Sequence, residues 1–211
     1  MISDEEKYWS NFAANYDKDV LFMFGEKIHD EVRKKLNIES DLNKTVEFGC
    51  GTGIYTREIA KNATEIYATD LSEEMIKVAK VQLKDLENVQ IQKEDCQQTS
   101  FIDNTFDSII MTNVFMLLPE PQRSIEENSR ILKEGGKLII ICYTIAGLSL
   151  FGIIRVLFRI IKTTKKPPQN IKLYTPAKLT QYIEKFNFTV QEATLLKGNM
   201  NAVYLKAFKN S

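Results

Sequence analysis

Histidine is almost missing from this 211-residue chain, in which His29 is the only one. A single imidazole rules out a multi-histidine metal centre and leaves a Ser-His-Asp triad with little to stand on. Cysteine is scarce as well. Cys50, Cys96 and Cys142 are odd in number, match no zinc spacing and each lie in or beside an apolar run, so they read as reduced thiols of a cytoplasmic protein. Net charge is also lacking, because 28 basic side chains balance 28 acidic ones. Without a long-range positive field there is nothing to draw nucleic-acid phosphates, and no nucleic-acid partner is expected. No basic-then-apolar leader opens the chain, whose first residues are acidic, and no repeat, low-complexity tract or linker divides it. With 44% hydrophobic and 27% charged residues, 1–211 suits one α/β domain with an ample core.

Glycine is sparse too, yet three of the nine stand at alternate positions, Gly49, Gly51 and Gly53. They follow a short apolar run containing Val46 and precede a helical pattern. Glycine at a strand-to-helix turn allows positive φ and lets backbone N–H groups approach a ligand that a Cβ would exclude. Asp70 ends the next apolar strand, 21 residues after Gly49. An acidic residue at that distance, on the tip of the second strand, is where a β-α-β unit presents a carboxylate to ribose hydroxyls. The loop therefore reads as a nucleotide-cofactor site. A dinucleotide fingerprint would need its third glycine at position 54, which is Ile54 here, and the acidic Glu47 also tells against it.

The arrangement Glu47-x-Gly49-x-Gly51-x-Gly53 resembles the first motif of the class I S-adenosylmethionine (SAM) dependent methyltransferases, in particular their small-molecule, type 11-like branch. The order of the elements that follow extends the resemblance over nearly the whole chain. It implies a Rossmann-like α/β fold, with a seven-stranded, mostly parallel sheet whose last strand is antiparallel and helices on both faces. It implies SAM as cofactor, held at Glu47, Gly49, Gly51 and Asp70. A Phe-x-x-x-Tyr-Asp segment at 12–17 is similar to one that folds over the cofactor in this family, which gives Tyr16 the part of closing the site; packing of the N-terminal helices on the core is the other reading of that aromatic. The resemblance sets Leu71 and Met75 against the adenine, although both also suit ordinary core. It gives Asp95 and the Cys96 N–H the adenine edge, against a plain turn at Asp95. Asn113, after the fourth strand, either touches the methionine end of the cofactor or caps the turn. Methyltransferases acting on planar amide or base nitrogens carry Asn/Asp-Pro-Pro-Tyr/Phe there, whereas this chain has Asn113, Val114, Phe115 and Met116, which argues against such acceptors. No residue is assigned as a catalytic base.

Around this framework, residues 1–40 read as an N-terminal helical cap. It comprises a short helix capped by Ser3, with Glu6 three places on, and a longer one running through Gly25 to Leu36. Helices are expected over 55–62, after Ser72 and over 121–132, strands over 63–69, 89–93, 106–111 and 137–143, and a turn at 133–136. Residues 138–154 carry no charge, but the strand they must contribute leaves a helix over 147–162 of about 24 Å, too short for a bilayer of about 30 Å. On it Arg155, Arg159, Lys162 and Lys166 form a basic stripe opposite an apolar face of Leu148, Phe151, Ile154, Phe158 and Ile161. Two readings stand for this 145–170 insertion: a helical lid whose apolar face covers the site, stopped by Pro167 and Pro168, or an interfacial helix giving peripheral contact with an anionic membrane. A helix over 175–186 capped by Thr175 and a terminal hairpin around Gly198 and Asn199 complete the chain.

Methyl transfer from a sulfonium is an in-line displacement that consumes charge, so alignment and a dry site matter more than a single acid or base. The expected acceptor is a small hydrophobic molecule, such as a lipid, a quinone or a thiol. A dinucleotide-dependent oxidoreductase and a non-catalytic SAM-binding module are the competing classes.

Overall fold

A computed structural model describes residues 4–164 and 171–211. The Ser3 cap, Lys166 and the 167–168 prolines lie outside them. Seven strands form one sheet in the order β3-β2-β1-β4-β5-β7-β6. Strands β1 (Asn43–Phe48), β2 (Ala63–Asp70), β3 (Val89–Lys93), β4 (Phe106–Thr112) and β5 (Leu132–Thr144) are mutually parallel. Strand β7 (Asn201–Lys209) runs antiparallel between β5 and β6 (Phe188–Leu196). This is the sheet expected from the sequence, with the last strand reversed.

The central strands are covered on both faces, and their sequences show it. Ile109, Ile110 and Met111 in β4 and Leu138 through Cys142 in β5 are consecutive and fully buried, the pattern of parallel strands sandwiched between helices. Helices α4 (Thr56–Ala60), α5 (Glu73–Gln82), α6 (Pro121–Ile131) and α8 (Pro176–Ile183) make the crossovers. Their starts are written locally. Ser72 Oγ accepts from the Met75 N–H, with Glu73 and Glu74 in the first turn where the helix dipole favours them. Thr175 Oγ1 accepts from the Lys178 N–H, with Pro176 in the first turn.

Three expectations are corrected. The N-terminal cap is not two helices but three, α1 (Asp4–Ser10), α2 (Tyr16–Phe24) and α3 (Glu26–Asn37), with a 3₁₀ turn at Ala13–Asn15. Gly25 ends α2 rather than lying inside a helix. Its φ is +84°, and a Cβ there would come within 2.9 Å of the Asn199 side chain. The turn at 133–136 lies within β5, which pairs with β4 through Leu132, bulges and resumes at Lys137. The third correction concerns α7 (Leu150–Thr164). Its buried residues are Gly152 and Val156, while Phe151, Ile154, Phe158 and Ile161, the face that the lid reading turns toward the site, are exposed. At 100° per residue the cations also border that apolar arc rather than oppose it.

Candidate cofactor and active site

The sheet reverses winding direction between β1 and β4, so the loops leaving their carboxyl ends diverge and open a crevice. A cavity of about 500 Å³ lies there, lined from the ends of β1, β2, β3 and β4 and from α1 and α2. Gly49, Gly51, Asp70, Leu71, Met75, Asp95, Cys96, Asn113 and Tyr16 all line it. Glu47 does not.

Gly49 and Gly51 shape the floor. Both have positive φ, +70° and +57°. A Cβ at Gly49 would sit 1.8 Å from Val114 Cγ2, so only a glycine lets the β1 and β4 loops meet. At Gly51 the nearest atom to such a Cβ is Tyr16 Cε1, 3.5 Å away. Tyr16, the first residue of α2, therefore roofs the second glycine. Burial pushes its phenol well above the usual range, with the Tyr55 and Asp70 groups adding to the effect. Asp17, beside it, fastens the roof down: its carboxylate accepts from the Thr52 hydroxyl and, at 3.0 Å, from the Gln82 amide.

Asp70 joins loop and strand. One carboxylate oxygen accepts the Gly51 N–H at 2.9 Å and the other the Ser72 N–H at 2.8 Å. Burial raises its pKa, and the N–H groups of Ser72, Gly51 and Leu71 hold it back. Each oxygen keeps a lone pair for a hydroxyl in the cavity. Glu47 is fully buried beneath the loop, where the Thr56 hydroxyl donates to it at 2.6 Å. Desolvation pushes it up to about 7. Its part is to anchor the start of α4, which sets the loop's exit.

The Asp95 side chain accepts the Gln97 N–H at 2.9 Å and so starts a turn on the cavity rim. Cys96 is buried, and burial drives its thiol up to about 12, which leaves it unreactive. Asn113 has a φ of +61° and its Oδ1 accepts the Tyr143 N–H at 2.9 Å, so its side chain caps the end of the β4–β5 pairing. His29 is buried behind the loop, bonded at 2.6 Å to the Tyr55 hydroxyl, and does not line the cavity. Burial lowers its pKa, so it stays a neutral partner of the loop's last residue.

Sequence reasoning expected the short N-terminal helix, α1, but not that its Tyr8 and Trp9 line the cavity. The helix is held over the strand tips by Glu6, which pairs with Lys93 at 2.7 Å, and by Ser10, bonded to Ser72 at 3.0 Å. It also missed Thr112 and Gln97. Both residues line the cavity, while Thr112 Oγ1 and Gln97 Oε1 are themselves buried, with no hydrogen-bond partner among the described residues. Among those residues no cluster of His, Cys, Asp and Glu could hold a metal ion.

A glycine-bared loop at the winding reversal, a carboxylate on the adjacent strand tip and a β7 reversed between β5 and β6 define an adenosyl-cofactor protein of the methyltransferase architecture. A family model described as a methyltransferase domain matches residues 46–140. A demethylmenaquinone methyltransferase of Staphylococcus saprophyticus is 28% identical over 137 residues, which are 62% of this chain and 58% of that protein. A phosphatidylethanolamine N-methyltransferase of Cereibacter sphaeroides is 28% identical over 145 residues, 66% of each chain. The chain thus spans less than two thirds of these relatives' lengths. In fold it is similar to a SAM-dependent methyltransferase of Thermotoga maritima, with a TM-score of 0.74 at 20% identity over 97% of this chain and 99% of that one. Together these similarities support a class I SAM-dependent methyltransferase, with S-adenosylmethionine as the cofactor they imply.

Proposed function

We propose that this protein transfers a methyl group from SAM to a small lipophilic acceptor. The observation that carries the reading is the pairing of Gly51 with Asp70 on one wall of the cavity: bared backbone and a carboxylate with free lone pairs lie where an adenosyl ribose would sit. Leu71 and Met75 offer an apolar slot for the adenine, with Asp95 and Cys96 at its rim. SAM supplies a methyl on a positively charged sulfur. The chain supplies position and dryness, with Tyr16 as roof and α1 over the mouth.

A lipophilic acceptor is supported by the apolar part of the remaining lining, Phe48, Val114, Leu117, Leu118 and Trp9, which Asp4, Tyr8 and Glu94 complete with polar groups. The departure at Val114–Met116 from the Pro-Pro-Tyr/Phe pattern agrees with it. The relatives named for demethylmenaquinone and phosphatidylethanolamine lend the same support, and such acceptors would put the enzyme at the periphery of a membrane. A lid role for 145–170 would need α7 to move, because none of its described residues lines the cavity. Calorimetry with SAM and with NAD tests the cofactor, and a methyl-transfer screen over quinones, phospholipids and thiols tests the acceptor. Tight SAM binding with no transfer to any of the three would leave a non-catalytic binding module instead.

A further inference from the structure

Helix α7 shows water a face that a folded chain normally hides. Leu150, Phe151, Ile154, Leu157, Phe158 and Ile161 are exposed, Phe151 to 74% and Phe158 to 65%. On a 3.6-residue helix they share one arc of about 120°, a contiguous patch on the order of several hundred Å². Single exposed apolar side chains are ordinary; a patch of this size marks a contact.

Charge says with what. The chain as a whole is neutral, yet no Asp or Glu occurs between Glu134 and Glu184. Arg155, Arg159 and Lys162 border the apolar arc on the side of α2. The Arg159 guanidinium lies 5.7 Å and the Lys162 Nζ 5.6 Å from the ring of Phe22, itself exposed on α2. A second copy docked through the same face would set this cationic border near its own image, with no carboxylate in the segment to neutralise it. An anionic bilayer suits both halves of the surface, taking the apolar arc into its acyl boundary and the cations at its headgroups. The helix is too short to cross, and among the described residues none is long and apolar enough to span a membrane.

We infer that α7, with Phe22 of α2, is an interfacial helix that docks this protein flat on an anionic lipid surface. The consequence reaches the site, because α7 packs on α2 and the first residue of α2 is Tyr16, a wall of the cavity. Docking brings that wall down to the plane from which a lipophilic acceptor, the class proposed above, would be drawn.

The test is co-sedimentation with vesicles of phosphatidylcholine alone and of phosphatidylcholine with about one third phosphatidylglycerol. Wild-type protein is expected to bind the anionic vesicles about tenfold or more tightly than the neutral ones, and less at high salt. The double variant Phe151→Glu, Phe158→Glu should lose that binding, and Arg155→Glu should weaken it several-fold. Both alter exposed side chains, and unchanged SAM affinity by calorimetry would certify their fold. Absence of binding to anionic vesicles, indifference to anionic lipid, or equal binding by the double variant would each overturn the inference. So would light scattering that finds a dimer which the double variant converts to monomer. Failure to dock with SAM affinity intact leaves the methyl-transfer reading standing, whereas docking by a protein that does not bind SAM would sink that reading and spare this one.

Discussion

The Gly51 N–H donates to the Asp70 carboxylate at 2.9 Å, so the loop after β1 and the tip of β2 act as one unit. The same carboxylate holds the Ser72 N–H at the head of α5. Asp70→Ala should therefore do two things. Losing ribose contacts worth about 1.5–3 kcal/mol each should weaken SAM by roughly tenfold to a hundredfold in calorimetry, and two orphaned N–H groups should lower Tm. Unaltered SAM affinity would count against the site.

Glu47 makes stability depend on pH in a specific direction. Its folded pKa is raised from 4.5 to about 7, so the folded chain holds a proton that the unfolded chain has released. The stabilisation is complete below pH 4.5 and is lost as pH rises through about 7, up to roughly 3 kcal/mol. Denaturation midpoints of wild type should fall between pH 5 and pH 8, and those of Glu47→Gln should fall much less. Parallel curves would show that Glu47 ionises normally.

Asp17 is expected to matter although it does not line the cavity. Asp17→Ala leaves the fully buried Thr52 hydroxyl without its partner, at a cost of about 1–3 kcal/mol in unfolding free energy, and frees the start of α2. SAM affinity should drop several-fold through the loosened Tyr16, and Asp17→Asn should recover part of it. An affinity identical to wild type would place the roof's anchorage elsewhere.

A Cβ at Gly49 collides with Val114. Gly49→Ala should abolish SAM binding, and adding Val114→Ala should restore a measurable part, less the cost of about 1–2 kcal/mol of a side chain at positive φ. Additive losses in the double variant would mean the two loops do not meet.

Thr112→Val removes a buried hydroxyl that has no partner among the described residues. Stability without ligand should hold or rise, because an unpaired polar atom is replaced by a methyl group of similar size, while SAM affinity should change little. A destabilised variant with normal affinity would assign the hydroxyl to the fold.

The framework was legible because its signals are local. The glycine loop, the Ser72 and Thr175 caps, the strand over 89–93 and the turn of the terminal hairpin each lie within a dozen residues, and the sheet order follows from their succession. What escaped were meetings across the chain. Nothing near Thr52 announces Asp17, 35 residues earlier, and nothing near Lys93 announces Glu6. Nine of the ten proposed cofactor residues share one cavity, but Glu47 turns under the loop toward Thr56, because a motif fixes a residue's place in a strand and not the side it faces. In α7 both arcs are apolar, so periodicity found a helix and could not tell which side the core would take.

The three cysteines also make the native chain its own timer. Cys50 and Cys96 flank the cofactor crevice and Cys142 lies in the middle of the sheet, and all three are buried with thiols driven up by desolvation. A maleimide reagent would modify them only as the molecule opens. Modification of the first two ahead of the third would clock breathing of the crevice, while simultaneous modification would clock unfolding of the whole.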